Sequence, residues 1–471
     1  MRTSTTLAVA ATLLGADAIN LIKRTDGPLR VLEGTIQRRR IANPIEHDRN
    51  RMRKRDGTLS ITLDNEETLY FMNTSIGTPA QDFRLHLDTG SSDLWVNVAD
   101  STLCQSQNSG CSISGTYSAN DSSTYKYINS EFNITYVDGS GSSGDYVSDA
   151  VSLGGVTIDN QQFGIGYTSS SAQGIMGIGY PINEVAVAYN GGRAYANVPQ
   201  SLLNQGTISS KAYSLWLNDL DASTGSILFG GVNSDKYTGS LQSLPIVKEQ
   251  GVYAEFIIAL TAVGMNGTQG SIAKNLASPA LLDSGSSLMY LPNSVAQKIY
   301  DQVEAQYDSD QGAAFVDCDL ANSDATIDFT FSSPTIRVAM RELVIVAGES
   351  RGKSVCILGV GPAGSSTPVL GDTFLRSAYV VYDMTNNEIS LAQTNFNSTS
   401  NNVLEITNST GVPDATAVQS AVTSVAVQSG GARIGSGTGT ITLGSPAQPT
   451  AAPGWNAALL GAAGAAAMFA L

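Results

Sequence analysis

Histidine is almost missing: the 471 residues hold two, His47 and His86. His47 lies in a basic N-terminal stretch. The body therefore has no second histidine for a histidine-ligated metal site, and a Ser-His-Asp triad would have to use His86 without a convincing serine elbow. Cysteine is equally sparse. Cys104, Cys111, Cys318 and Cys356 are the only four, none in Cys-x-x-Cys spacing. Zinc is the weaker reading of them; an even pair in each half of the chain reads as two local disulfides, Cys104–Cys111 and Cys318–Cys356. Basic residues are scarce beyond residue 55: residues 56–471 hold fourteen Lys/Arg against thirty-six Asp/Glu, a net of −22. Such an acidic body argues against nucleic acid as a partner and suits work in acid, where many carboxylates are protonated. Helical periodicity is also rare. The best case, Asn293 to Tyr307, has Val295, Ile299 and Val303 on one face and Asn293 or Ser294 as N-cap. A short helix is expected at Pro199–Asn204.

What is present is glycine, 47 residues of it, and short alternating runs such as Glu131-Phe132-Asn133-Ile134-Thr135-Tyr136-Val137 between Asp-Gly, Gly-Gly and Ser-Gly turns. This predicts a β-rich body. Ahead of it, residues 1–18 carry an early arginine, the apolar run Leu7–Leu14 and Ala16-Asp17-Ala18, the layout of a secretory signal peptide. Residues 19–55 hold eleven Lys/Arg against four Asp/Glu, a net of +7, and end in Lys54-Arg55. A solvated arm is one reading. The position favours a pro-segment cut after Lys54-Arg55, whose charge would let it cover an acidic cleft at neutral pH and release it in acid. Residues 396–450, rich in Ser, Thr, Asn, Gly and Ala, are expected to form a disordered stalk. Residues 451–471 contain the apolar run Ala457–Leu471, short for a membrane span. An unstructured tail is one reading; small residues upstream of it match a GPI-attachment signal, with Gly444 and Ser445 as candidate anchor sites.

Two stretches carry the chemistry. Leu85-His86-Leu87-Asp88-Thr89-Gly90-Ser91-Ser92 is answered by Ala280-Leu281-Leu282-Asp283-Ser284-Gly285-Ser286-Ser287, and Asp-Ser/Thr-Gly occurs nowhere else. Each is followed by an apolar-glycine element: Gly174–Gly179 after Asp88, and Pro368–Asp372 after Asp283. Asp88 to Gly177 spans 89 residues and Asp283 to Gly371 spans 88. Near-equal spacing predicts two similar lobes, 56–245 and 246–395, each supplying one acid to a shared site. Two adjacent carboxyls do what one cannot, because repulsion keeps one protonated as an acid while the other is ionised as a base. Gly90 and Gly285 allow a tight turn with backbone amides close to the carboxylates. Thr89 and Ser284 can tie the loops together, and Ser91 and Ser286 can fix the outer carboxylate oxygens.

On these residues the chain resembles the pepsin-type (family A1) aspartic endopeptidases, most closely the fungal GPI-anchored yapsin and candidapepsin-like group. Tyr70-Phe71 with Ile76-Gly77-Thr78-Pro79, the Asp88–Trp95 loop and Gly371-Asp372-Thr373-Phe374-Leu375-Arg376 through Tyr382-Asp383 carry the likeness. Tyr136-Val137-Asp138-Gly139-Ser140 resembles the flap that closes over substrate, with Trp95 as partner of Tyr136; Val137 departs from the family's usual glycine. The resemblance implies an all-β, bilobed, pepsin-like double-β-barrel fold with a few short helices. It implies a cleft between the lobes that binds extended peptides, no metal or other cofactor, and a monomer.

Other residues admit two readings. His86 is taken as a packed strand histidine rather than a partner of Asp88. Asp93 and Asp138 are either solvated turn acids or cleft charges that attract basic side chains; the yapsin resemblance implies cleavage after Lys or Arg. Asn73, Asn120, Asn133, Asn266, Asn397 and Asn408 are N-glycosylation sequons, two of them inside predicted strands. The expected activity is acid endoproteolysis at the plasma membrane or cell wall, with shedding of some copies left open. A catalytically silent surface binding protein is the rival; it predicts decay of Asp88, Asp283 or Tyr136, and all three are intact.

Overall fold

The computed structural model describes residues 29–42, 66–106, 111–136, 141–189, 193–222, 224–350 and 352–427. The expected signal peptide, the expected processing site at Lys54-Arg55, the expected flap tip with Asp138 and Gly139, and the anchor candidates Gly444 and Ser445 lie outside the described residues.

Strands dominate, as the alternation predicts. Along Lys126–Thr135, Phe132 and Ile134 are buried while Glu131, Asn133 and Thr135 face outward. Gly154-Gly155, both at positive φ (55° and 81°), make the two-residue turn between Gly141–Leu153 and Val156–Ser169, a turn that needs left-handed backbone at both positions.

The first lobe closes on itself as a six-stranded barrel. Glu66–Ile76, Gln81–Asp88, Ile175–Gly177, Leu94–Asn97, Val156–Ser169 and Gly141–Leu153 pair in that order, and the Ile76–Val151 pairing shuts the ring. A closed ring has no free edges. The second lobe is built differently, from one five-stranded and two four-stranded sheets. The disulfides Cys104–Cys111 and Cys318–Cys356 form as expected, one in each lobe.

A shared antiparallel sheet joins the lobes, in the order Tyr237–Pro245, Glu388–Thr394, Ala378–Asp383, Ala212–Trp216, Thr224–Phe229 and Leu32–Ala42. Its two faces do different work. Tyr213, Leu215, Val380 and Tyr382 point into the main core beneath the acid-bearing loops, while Ala212, Trp216, Tyr379 and Val381 point the other way. Leu32–Ala42, from the basic segment expected to cover a cleft, is a strand of this sheet and buries Leu32 and Ile36; its continuation, 43–55, is outside the described residues.

Two expectations need correction. The helix is Asn293–Val303, ended by Glu304 in left-handed backbone, so it does not reach Tyr307. Neither expected cap is used: Pro292 precedes the first turn, and Asn293 Oδ1 instead accepts the Gly364 N–H (2.9 Å). The other helix, Val198–Asn204, is where it was predicted.

The second correction concerns the stalk: the chain from 396 is ordered as far as 427. Val403–Glu405 pairs with Gly231–Asn233, and Thr416–Ala417 pairs with Tyr237–Pro245. Ile406 and Val412 are buried against Trp216, Tyr379 and Val381 on the far face of the shared sheet. The reason is simple: that face is apolar and needs a cover, and Leu404, Ile406, Val412 and Ala415 supply one despite the polar composition around them.

Ile406→Ala should therefore lower unfolding stability by about 3 kcal/mol, the usual cost of a buried Ile→Ala cavity. Denaturant unfolding checks this; an unchanged midpoint would mean that the segment does not pack.

Candidate active site

Asp88 ends the strand Gln81–Asp88 and pairs with Gly177 of Ile175–Gly177. The second lobe repeats the arrangement: Ser278–Leu282 lies parallel to Val369–Leu370, and Asp283 N–H donates to Leu370 O (3.2 Å). The two apolar-glycine elements found by spacing are thus the strands against which the acid loops lie. Their glycines are needed for close approach. A Cβ on Gly177 would stand 2.6 Å from Ser92 N, and one on Gly371 would stand 2.2 Å from Leu288 O.

Both acids are buried and held in the same way. Gly90 N–H donates to Asp88 Oδ1 (2.9 Å) and Ser91 Oγ–H to Asp88 Oδ2 (2.6 Å). Gly285 N–H donates to Asp283 Oδ1 (2.8 Å) and Ser286 Oγ–H to Asp283 Oδ2 (2.7 Å). The loops also touch directly, since a Cβ on Gly90 would lie 2.5 Å from Asp283 Oδ1. The residue that holds Asp88 by its amide therefore abuts the Asp283 carboxyl.

Four hydrogen bonds lock this approach. Thr89 Oγ1–H donates to Leu282 O (2.9 Å) and accepts Ser284 N–H (2.9 Å); Ser284 Oγ–H donates to Leu87 O (2.9 Å) and accepts Thr89 N–H (3.2 Å). Each hydroxyl uses its donor and an acceptor lone pair on the opposite loop. His86 lies alongside, 1% exposed, with its ring 5.6 Å from that of Phe71 and Nε2 3.3 Å from Ser284 O. The carbonyl can only accept, so Nε2 carries the proton. His86 is the packed strand histidine expected, with an added contact to the second acid loop.

Below the loops lie Tyr213 and Tyr382, stacked 5.0 Å apart, with Phe256 edge-on to Tyr382 at 4.7 Å. Burial pushes both phenols up, and the charges of Asp88 on Tyr213 and of Asp283 on Tyr382 add to this, so they stay neutral beneath the carboxyls. Arg376 and Glu342, both buried, pair at 2.8 Å next to Asp372 of the second partner element.

The hairpin of Lys126–Thr135 and Gly141–Leu153 has Tyr136 at the described end of its first strand. Trp95 Nε1–H donates to Tyr136 Oη (2.7 Å), the pairing expected for a flap. Asp93 is neither a solvated turn acid nor a cleft charge, and this is a correction. It is fully buried and accepts Tyr146 O–H (2.9 Å), Tyr195 O–H (3.1 Å) and Val185 N–H (2.9 Å). Glu184, not singled out in the sequence, is buried beside it. Asp93 had a sequence signal: the second copy of the loop has Leu288 at the matching position.

All six sequon asparagines are exposed, including Asn73 and Asn133 on the outer faces of their strands. Asn266 Oδ1 accepts Thr326 N–H (3.0 Å), and Asn397 Nδ2 donates to Asp219. Asn397 and Asn408 lie on the ordered C-terminal segment, not on a free stalk.

A family model described as eukaryotic aspartyl protease matches residues 69–394. The chain is 55% identical over 437 residues to "Probable aspartic-type endopeptidase opsB" of Aspergillus oryzae, covering 91% of this chain and 89% of the relative. It is 32% identical to "Aspartic proteinase 3" of Saccharomyces cerevisiae, over 77% of this chain and 76% of that one. The crystal structure of the aspartic proteinase from Irpex lacteus superposes with a TM-score of 0.59 at 23% identity, covering 79% of this chain and 100% of that chain. The bilobed fold is shared with that structure.

Gly90→Ala would drive a methyl group into the Asp283 carboxyl. Turnover of an extended peptide at acid pH should fall about 100-fold, as expected for reacting groups displaced by about 1 Å. Turnover within a few-fold of wild type would mean that the two loops are not held at this distance during the reaction.

Proposed function

Because the chain belongs to the eukaryotic aspartyl protease family, we propose that this aspartic-type endopeptidase is secreted and held at the cell surface, and that Asp88 and Asp283 together activate the water that cuts its substrates. The observation that carries the site assignment is the matched pair of carboxyls, each fixed by one glycine amide and one serine hydroxyl and joined through Thr89 and Ser284.

The chemistry follows from one proton shared by two acids. The ionised carboxyl takes a proton from water, which attacks the scissile carbonyl carbon. The protonated carboxyl gives its proton to the carbonyl oxygen, forming a neutral tetrahedral diol. One carboxyl then protonates the amide nitrogen while the other takes a proton back from a diol hydroxyl as the C–N bond breaks, which leaves the dyad with its single proton. The pair titrates as a unit, so activity should fall on both sides of an acidic optimum. Tyr136, held by Trp95, stands at the base of the flap that closes over an extended peptide.

A signal peptide at 1–18, a pro-segment at 19–55 and a GPI-attachment signal at 451–471 support export and surface anchoring. Among the described residues no helix is long and apolar enough to cross a membrane. A preference for Lys or Arg before the cut is favoured by the acidic body and by Asp138 of the flap sequence; Asp93, being buried, contributes nothing to it.

The test is digestion of a peptide library at several acidic pH values by wild type and Asp88→Asn. Wild type should cut, with basic residues enriched before the scissile bond, and the variant should lose at least about 1,000-fold, since one carboxyl cannot be acid and base at once. Full activity in Asp88→Asn would reject the mechanism, and an even distribution of residues before the cut would reject the basic preference.

A further inference from the structure

We propose that Asp93 is a positioning residue tying the catalytic loop to the base of the flap, and that Glu184 is its proton-holding partner, so that the flap is braced only while this second carboxyl pair carries a proton. The proposal rests on the flap reading given above.

The connection is continuous. Asp93 lies five residues after Asp88 on the same loop, and its Oδ1 accepts the hydroxyls of both Tyr146 and Tyr195. Tyr146 belongs to the second strand of the flap hairpin and meets Phe132 of the first strand edge-on at 5.4 Å. Phe132 lies 6.4 Å from Trp95, which donates to Tyr136. Tyr195 closes the group, 5.8 Å from Tyr146. A shift of Asp93 thus moves the aromatic side chains on which the flap stands.

Packing alone does not call for an acid here. The second copy of the loop fills the matching position with Leu288, buried in an apolar cluster with Tyr290, Ile345 and Ile357. The first lobe has no such apolar solution; it buries an acid and places another beside it. Val185 N–H donates to Asp93 Oδ2, which brings the preceding residue, Glu184, against the pair.

The two carboxyls are unequally furnished. Asp93 accepts three donors, surroundings that suit an anion. Glu184 is 0% exposed; its Oε2 accepts only Tyr195 N–H (2.7 Å), and its Oε1 has no hydrogen-bond partner. Burial, and then the charge of Asp93, push the Glu184 carboxyl well above the usual range; Tyr195 N–H and the Lys211 ammonium pull the other way. Lys211, whose Nζ donates to Gln200 Oε1 (3.1 Å), is the cation that faces Glu184. Tyr195 beside it is held neutral by burial and by Asp93.

The direction of the pH effect follows. Below the ordinary glutamate range Glu184 is protonated whether the chain is folded or not, and its contribution to stability is complete. As pH rises, the unfolded chain releases the proton first and stability falls, until the buried group itself ionises. Two adjacent anions under the flap then push Asp93 and its tyrosines apart. The enzyme would lose its flap support toward neutral pH independently of the catalytic dyad.

The experiment compares wild type, Glu184→Gln and Glu184→Met for thermal midpoint from pH 4 to pH 7 and for kcat/KM on an extended peptide over the same range. Both variants keep side-chain volume and cannot ionise. At pH 4 their kcat/KM should be within about twofold of wild type. The ratio of kcat/KM at pH 6.5 to that at pH 4 should rise about tenfold, the equivalent of one pKa unit on that limb, and the fall in thermal midpoint between pH 4 and pH 7 should shrink. Asp93→Asn should shrink that fall too, and raise KM. Midpoint curves that run parallel to wild type in both Glu184 variants, with an unmoved neutral limb, would overturn the proposal. The midpoint arm reads without substrate, so a protein lacking endopeptidase activity would refute the functional reading while leaving this test intact.

Discussion

Everything in the site depends on two hydroxyl groups, Thr89 Oγ1 and Ser284 Oγ, each donating to a carbonyl on the opposite loop and accepting an amide from it. Two acidic loops from two lobes have no electrostatic reason to approach each other. Buried, unpaired backbone groups at the loop tips would cost about 1–3 kcal/mol each, and the hydroxyls satisfy them only when the loops meet. Satisfying the backbone therefore sets the separation of the carboxyls. Tyr213 and Tyr382 form the floor beneath this lattice, and the shared sheet beneath them joins strands from both lobes.

The symmetry is local. Around the acids the two halves match atom for atom, in the glycine amide, the serine hydroxyl and the parallel partner strand. One step further out they diverge. His86 has Leu281 as its counterpart, Asp93 has Leu288 and Trp95 has Tyr290. The first lobe is a closed barrel; among the described residues the second is three sheets. At these positions the first lobe places hydrogen-bonded side chains, and the second fills the matching places with apolar packing.

The sequence made the fold class and the acid pair legible because both repeat. Strand alternation is local, and the spacing of Asp88 to Gly177 and Asp283 to Gly371 is a count that survives divergence of everything between. The disulfide pairs were legible for the same reason, two cysteines to each half. What composition hid was tertiary. The segment after 396 looks polar, yet four apolar side chains suffice to cover the far face of a sheet that no local pattern reveals. Asp93 read as a turn acid because its three donors come from residues 146, 185 and 195, each remote in sequence. Glu184 gave no pattern signal at all.

The central claim is that the carboxyls act as one catalyst because Thr89 and Ser284 hold them, and a double-mutant cycle on those two residues tests it most directly. Thr89→Ala, Ser284→Ala and the double variant would be compared for kcat on one extended peptide at the acidic optimum. If the hydroxyls form one lattice, either single change opens it and the double variant is about as slow as the worse single one, a coupling of about 1–3 kcal/mol. Losses that simply multiply, with no coupling, would mean that the two residues support their own loops separately and that something else brings Asp88 to Asp283.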